Sequence, residues 1–166
     1  MLEILQVKTL LLVAVAMALS LAHALEYPGK LRLTREHYLA MQPIYYPGFT
    51  IGGIAEPLGL IAMLTLLFLL PAASAGFWLS AAAFVALAAM HATYWLLTHP
   101  VNNFWLKDFE LKGASAKFFA ADPLRRSETP EEPDWTVLRD RWEHSHIIRA
   151  VLGLVSLTLF ATSLVL

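Results

Sequence analysis

The sequence predicts an all-α protein, an integral membrane bundle of four transmembrane helices with an interfacial segment in its third loop. Three observations lead there. Of 166 residues, 58% are hydrophobic and 15% charged, against about 45–50% and about 25% in a soluble domain, and the mean hydropathy is +0.58. The apolar residues form long runs and lack the spacing of half-buried helices or strands. The ionisable residues that interrupt those runs gather near their ends instead of being scattered. Residues 1–166 therefore read as one membrane domain, with spans at about 4–25, 51–70, 77–97 and 147–166.

The first run, Ile4 to Leu25, is long enough to span. Ala22-His23-Ala24 resembles a cleavage site, but the basic region that should precede a signal peptide is weak, so a retained span is expected. Pro28-Gly29 is a turn signal expected to stop this helix. In the following loop, Thr34 can cap a short helix through Gln42 that Pro43 ends. Tyr45, Tyr46 and Trp105 fit an aromatic belt at the headgroup level. The second span carries Glu56-Pro57, and the tight connection Pro71–Gly76 makes spans two and three antiparallel neighbours. The third span holds His91, Tyr94 and Trp95 in its last third and is expected to end at His99-Pro100. Phe104 to Leu111 can lie on the membrane surface, and the charged, Pro-rich stretch from Asp122 to Asp134 reads as a mobile loop. Asp134 caps the last helix, which begins near residue 135 and runs into the fourth span.

Lysines and arginines concentrate in loops one and three and their flanks, while Lys8 is the only cation placed at the other face. The positive-inside rule then makes both loops cytoplasmic and puts both termini outside a cell (inner) membrane. A net charge of −1 gives no reason to expect nucleic acid as a partner. The expected partners are the lipid bilayer and a hydrophobic small molecule, with a homo-oligomer or a membrane partner protein also open. There is no cysteine, which excludes disulfides, thiolate metal sites and cysteine nucleophiles.

Antiparallel threading brings His23, Glu26, Glu56, His91, Tyr94, Trp95, Trp142, His146 and Arg149 to one end of the bundle. Each intramembrane charge costs about 2.5–3.5 kcal/mol on insertion scales, so such groups face inward and pair. Glu56 with Arg149 is the expected pair, either neutralising one another and holding helices in register or forming part of a site. His23-x-x-Glu26 and Glu143-x-x-His146 put imidazole and carboxylate on one helix face, a spacing used by dinuclear metal sites. His23, Glu26, Glu56, His91 and His146 are thus candidate metal ligands, and two of His23, His91, His99 and His146 can ligate haem. Solvated histidines at the interface remain the plain alternative for His37, His99 and His144. His146 also suits proton abstraction near neutral pH, Arg149, Arg139, Asn102 and Asn103 can stabilise an oxyanion, and Trp95, Trp142 and Tyr94 can wall a flat substrate.

At helical spacing, Trp135, Arg139, Trp142, Glu143, His146 and Arg149 form one stripe, which Gly153 continues where a neighbouring backbone can come close. His99-Pro-Val-Asn-Asn103 followed by Asp134-Trp135-x3-Arg139-x2-Trp142-x3-His146-x2-Arg149 resembles the signature of the anthrone oxygenase-like membrane proteins. Glu26-Tyr-Pro-Gly-Lys30 and Gln42-x2-Tyr45-Tyr46-x-Gly48 are similar too, so the resemblance covers nearly the whole chain. It implies a four-helix membrane fold and, as in the characterised fungal members, oxidation of an anthrone to an anthraquinone by dioxygen without a bound organic cofactor. It further implies that Asn103, His146 and Arg149 act, with Trp142 and Arg139 in support. His146 would take the anthrone proton and the carbanion would react with dioxygen. A non-enzymatic membrane module that docks a partner or lipid, and a metal or haem protein, are the alternative readings.

Overall fold

The computed structural model describes residues 1–105 and 134–166, excepting the Asn103 side chain. Most of the expected interfacial segment and the Pro-rich stretch that follows it lie outside the described residues. The described elements are helical: α1 (Leu2–Lys30), α2 (Arg35–Met41), a 3-10 turn (Gln42–Tyr45), α3 (Gly48–Gly53), α4 (Ala55–Leu69), α5 (Ala75–Thr93), a π-helical turn (Tyr94–Thr98), α6 (His99–Trp105) and α7 (Trp135–Ser163). Leu2–Lys30, Gly48–Leu69, Ala75–Asn102 and Trp135–Ser163 are long and apolar enough to cross a membrane.

Several expected boundaries hold. Thr34 caps α2, its hydroxyl accepting from His37 N at 3.4 Å, and Pro43 sits in the turn that follows. Asp134 starts α7 by accepting from Thr136 N, as expected, and Ser74, not singled out as a cap, starts α5 by accepting from Phe77 N. Two expected stops do not occur. The first helix continues through Pro28 to Lys30, because a proline so near the C-terminus removes a single ladder bond, and Leu31 N still reaches Tyr27 O at 3.1 Å. The third continues past His99-Pro100 through the π-helical turn, where His99 N bonds Tyr94 O. Pro100 has no N–H for the carbonyl four residues back, and Arg141 Nη2 donates to that Leu96 oxygen at 2.9 Å. The second span is a helix pair meeting at Ile54. Pro57 then falls in the first turn of α4, where no ladder N–H is required, and Glu56 lies at the positive end of that helix.

The long helices run antiparallel around a ring, α1 beside α4, α4 beside α5, α5 beside α7 and α7 beside α1. Gly153 allows a close approach of α1 to α7: a Cβ there would sit 3.1 Å from the Met17 Cα. One end of the ring is an apolar core of Val13, Met63, Leu66, Leu87, Met90 and Phe160. The other end is closed by an aromatic cap in which Tyr38, Tyr45, Val101, Trp105 and Trp142 pack together. Tyr45 and Trp105 are therefore buried in protein, and Tyr46 packs against them; the headgroup belt expected of these three is replaced by a cap. Loop one supplies most of it, since α2, the 3-10 turn and α3 fold back over the bundle.

Candidate functional site

Between the apolar core and the aromatic cap lies a layer of buried polar side chains around a cavity of about 390 Å³. Its centre is Glu56. Arg149 Nη2 on α7 reaches across the ring to Glu56 Oε2 at 2.7 Å, while His91 Nδ1 on α5 lies 2.9 Å from Glu56 Oε1. The expected Glu56–Arg149 pair is thus present. Geometry also settles protons here. Indole N–H only donates, and Trp95 Nε1 points at His91 Nε2 at 3.0 Å, so that nitrogen is the acceptor and Nδ1 carries the hydrogen given to Glu56. Both Glu56 oxygens are thereby occupied.

The same reasoning applies to the histidine pair that lines the cavity. Arg149 Nη1 lies 3.4 Å from His146 Nδ1, and a guanidinium can only donate. His146 is then the Nε2–H tautomer, and that buried atom has no hydrogen-bond partner among the described residues. Ser20 Oγ and Thr50 Oγ1, on cavity-lining residues of α1 and α3, are likewise without one. His23 stacks on His146 at 4.1 Å and accepts from Lys30 Nζ through Nδ1 at 3.4 Å. Trp142 meets the His146 ring edge-on at 4.4 Å, and its Nε1 donates to Asn102 Oδ1 at 2.7 Å, fixing the plane of the indole. Trp95, Tyr94, Tyr45 and Phe49 complete the aromatic walls.

Beside the cavity is a second cluster that sequence reasoning did not assemble. Lys30 is 2% exposed, with its Nζ 3.0 Å from Glu26 Oε2 and 3.4 Å from Glu143 Oε1. Tyr38 donates to Glu143 Oε1 at 2.9 Å and Tyr45 to Glu26 Oε2 at 2.7 Å. Burial, followed by the Glu143 carboxylate for Tyr38 and the Glu26 carboxylate for Tyr45, pushes both phenols well above the usual tyrosine range. Tyr46 is pushed up by burial alone. Lys30 read as a loop cation because Pro28-Gly29 precedes it; Glu143, on the buried stripe and therefore in need of a cation, was the one signal pointing to it.

Of the expected site residues, Glu56, His91, Tyr94, Trp95, Trp142, His146 and Arg149 line the cavity together with His23. Arg139 does not. It pairs with Asp140 at 2.7 Å and lies over the Trp135 ring, at the entry of α7. The Asn103 side chain lies outside the described residues. The candidate metal ligands divide between two groups, Glu56 with His91 and Glu26 with Lys30, and the carboxylates of both already face cations. Among the described residues no group of three His, Asp or Glu is placed to hold a metal ion. His99, for which solvation was the plain alternative to ligating haem, is 2% exposed and packs against Trp95 with ring centroids 4.8 Å apart. The Asp134 carboxyl is held below its usual range by the Thr136 backbone N–H and hydroxyl, in keeping with its role as a helix cap. No protein family, curated protein or solved structure matches the chain.

Proposed function

We propose that this protein is a multi-pass membrane oxidoreductase that binds a flat, lipophilic phenolic or polycyclic ketone from the bilayer and oxidises it with dioxygen, as the anthrone oxygenase-like resemblance implies. One observation carries the reading: a buried imidazole N–H, on His146, without a partner among the described residues at an aromatic cavity of about 390 Å³. That volume suits a three-ring molecule, since small-molecule sites run from about 300 to about 1,000 Å³. Among the described residues, the buried lining groups left to meet a ligand are the His146 N–H, the Arg149 Nε–H and two hydroxyls, while both oxygens of the central carboxylate are taken. Such a lining favours a ligand oxygen that accepts.

In this reading the substrate carbonyl oxygen sits against His146 Nε2. Transfer of a ring-methylene proton to water puts negative charge on that oxygen, and the N–H backed by Arg149 stabilises it. The carbanion gives its electrons to dioxygen. One oxygen atom stays on carbon as the new ketone and the other leaves as water. His146 therefore serves as hydrogen-bond donor: its lone pair lies at Nδ1 against the Arg149 guanidinium, away from the position that proton abstraction requires.

Oxygen uptake with an anthrone by the detergent-solubilised protein tests this. His146→Ala should lower uptake on the order of 100-fold, the usual loss for one oxyanion donor, and His146→Gln, whose amide can still donate, should retain more. No uptake by the parent protein would sink the proposal. We further place the protein in a cell (inner) membrane with loops one and three cytoplasmic, on the strength of their cation excess. Because the chain has no cysteine, single substitutions report orientation cleanly. An impermeant maleimide added outside spheroplasts should label Ala73→Cys and spare Glu36→Cys; the opposite pattern reverses the topology.

A further inference from the structure

We infer that His23 and Lys30 form a proton relay at the wall of the cavity, with His23 as a catalytic residue and Lys30 as its proton partner. This rests on the oxidation proposed above, which needs one proton delivered to peroxide and another taken from carbon, and for which His146 has no lone pair facing the substrate. His23 lines the cavity and its ring is held on every side, by His146 at 4.1 Å, Tyr45 at 4.4 Å, Phe49 at 4.6 Å and Trp142 at 4.9 Å. A ring so confined passes protons by exchanging tautomers and does not need to rotate. Its Nδ1 faces Lys30 Nζ at 3.4 Å, which leaves Nε2 as the N–H. Lys30 in turn lies 3.0 Å from Glu26 Oε2, and the Glu26 side chain is 43% exposed. The chain from Glu26 through Lys30 to His23 thus joins a solvent-reachable carboxylate to a buried cavity.

The steps balance. When dioxygen has added to the substrate carbanion, the new peroxide anion takes the proton from His23 Nε2 while Nδ1 takes one from the Lys30 ammonium. His23 is then the Nδ1–H tautomer with its lone pair facing the cavity. Nε2 now removes the hydrogen left on the peroxide-bearing carbon, whose electron pair becomes the second bond of the ketone as the O–O bond breaks and hydroxide leaves. Nδ1 returns its proton to the Lys30 amine, and both residues are restored. Water takes the first ring-methylene proton as the carbanion forms, and the hydroxide recovers that proton, so that one water is the net product beside the ketone.

A purely structural Lys30, stitching α1 to α7 through Glu143, is the competing account, and a lysine-to-arginine exchange separates the two. Arginine keeps the charge and the ion pairs and does not release its proton. Anthrone-dependent oxygen uptake, its solvent deuterium isotope effect and anthraquinone binding by tryptophan fluorescence should be measured on the parent, Lys30→Arg, Lys30→Met, His23→Gln and His23→Ala. Each variant should bind anthraquinone within about twofold of the parent yet lose uptake by roughly 100-fold, the usual worth of a positioned acid–base group. Added imidazole should restore uptake in His23→Ala alone, through the space the ring vacates. If the parent takes up oxygen and Lys30→Arg or His23→Gln does so at the parental rate, the relay is wrong and the oxidation stands. If the parent takes up none, both fall. A parental rate without an isotope effect, or a His23→Ala variant that imidazole leaves inactive while anthraquinone still binds, also overturns the relay.

Discussion

At the scale of single residues, the polar layer is decided by which groups can only donate. Trp95, Lys30 and Arg149 each present N–H groups to an imidazole, and they assign the neutral tautomers of His91, His23 and His146 in turn. Nitrogen-15 spectra of histidine-labelled protein should accordingly show one Nδ1–H ring, His91, against Nε2–H rings at His23 and His146. An Nε2–H ring at His91, or an Nδ1–H ring at either of the other two, would contradict the assignment. The Glu56–Arg149 pair predicts a second result. Glu56→Gln alone leaves a buried guanidinium without its counter-charge and should cost about 3–5 kcal/mol, read as lost thermal stability in detergent. Adding Arg149→Leu should recover much of that loss, because the uncompensated charge is then gone as well. If the double variant folds but does not oxidise anthrone, the pair belongs to the chemistry and not only to the fold. Most of these residues were legible in the sequence, since Glu56, His91, His146 and Arg149 are ionisable groups in apolar runs and can only be tolerated facing inward. Lys30 was not, because nothing local distinguishes a buried lysine beside a turn signal from a solvated one.

Among the helices, packing depends on where small residues let backbones meet. A Cβ on Gly153 would lie 3.1 Å from the Met17 Cα, an atom that cannot move aside without shifting α1. Gly153→Leu should therefore part α1 from α7, with a cost of about 1–3 kcal/mol or more and a matching fall in thermal midpoint. Gly59 is the contrast. Its added Cβ would press on the tip of the Leu87 side chain at 3.3 Å and meet Leu12 and Val13 at ordinary contact distances of 3.6 and 3.8 Å, and Gly59→Ala gains up to about 1 kcal/mol of helix propensity, so it should be nearly neutral. Equal losses at the two positions would mean that general crowding, not the α1–α7 approach, limits the bundle. Cap chemistry at Thr34 and Asp134 could be read directly from residue type, because a capping side chain serves its own backbone neighbours. The stops expected at Pro28 and Pro100 could not, because tertiary packing on both helices outweighs a single lost ladder bond.

For the whole molecule, the cap formed by loop one is a separate determinant of stability. Its phenols Tyr38, Tyr45 and Tyr46 are raised by burial, so the folded state holds their protons more tightly than the unfolded chain does. Their contribution is complete below the unfolded tyrosine value of about 10 and is lost as pH rises from there toward the folded values. Stability in detergent should consequently fall above pH of about 10, and the ultraviolet signal of ionised phenol from these three should appear with unfolding, not ahead of it. Early ionisation while helicity persists would mean that the cap opens independently of the bundle.

The four apolar runs, their antiparallel order and the gathering of ionisable groups at one end were determined by the sequence alone, because hydrophobic length and the cost of an unpaired charge act on any chain in lipid. The tertiary structure decided what those groups do. It folded loop one into an aromatic cap, drew Lys30 inside between Glu26 and Glu143, and set Arg149 against Nδ1 of His146. Donor, acceptor and burial are properties of pairs brought together from residues as far apart as Lys30 and Glu143, and a single strand of sequence does not contain them.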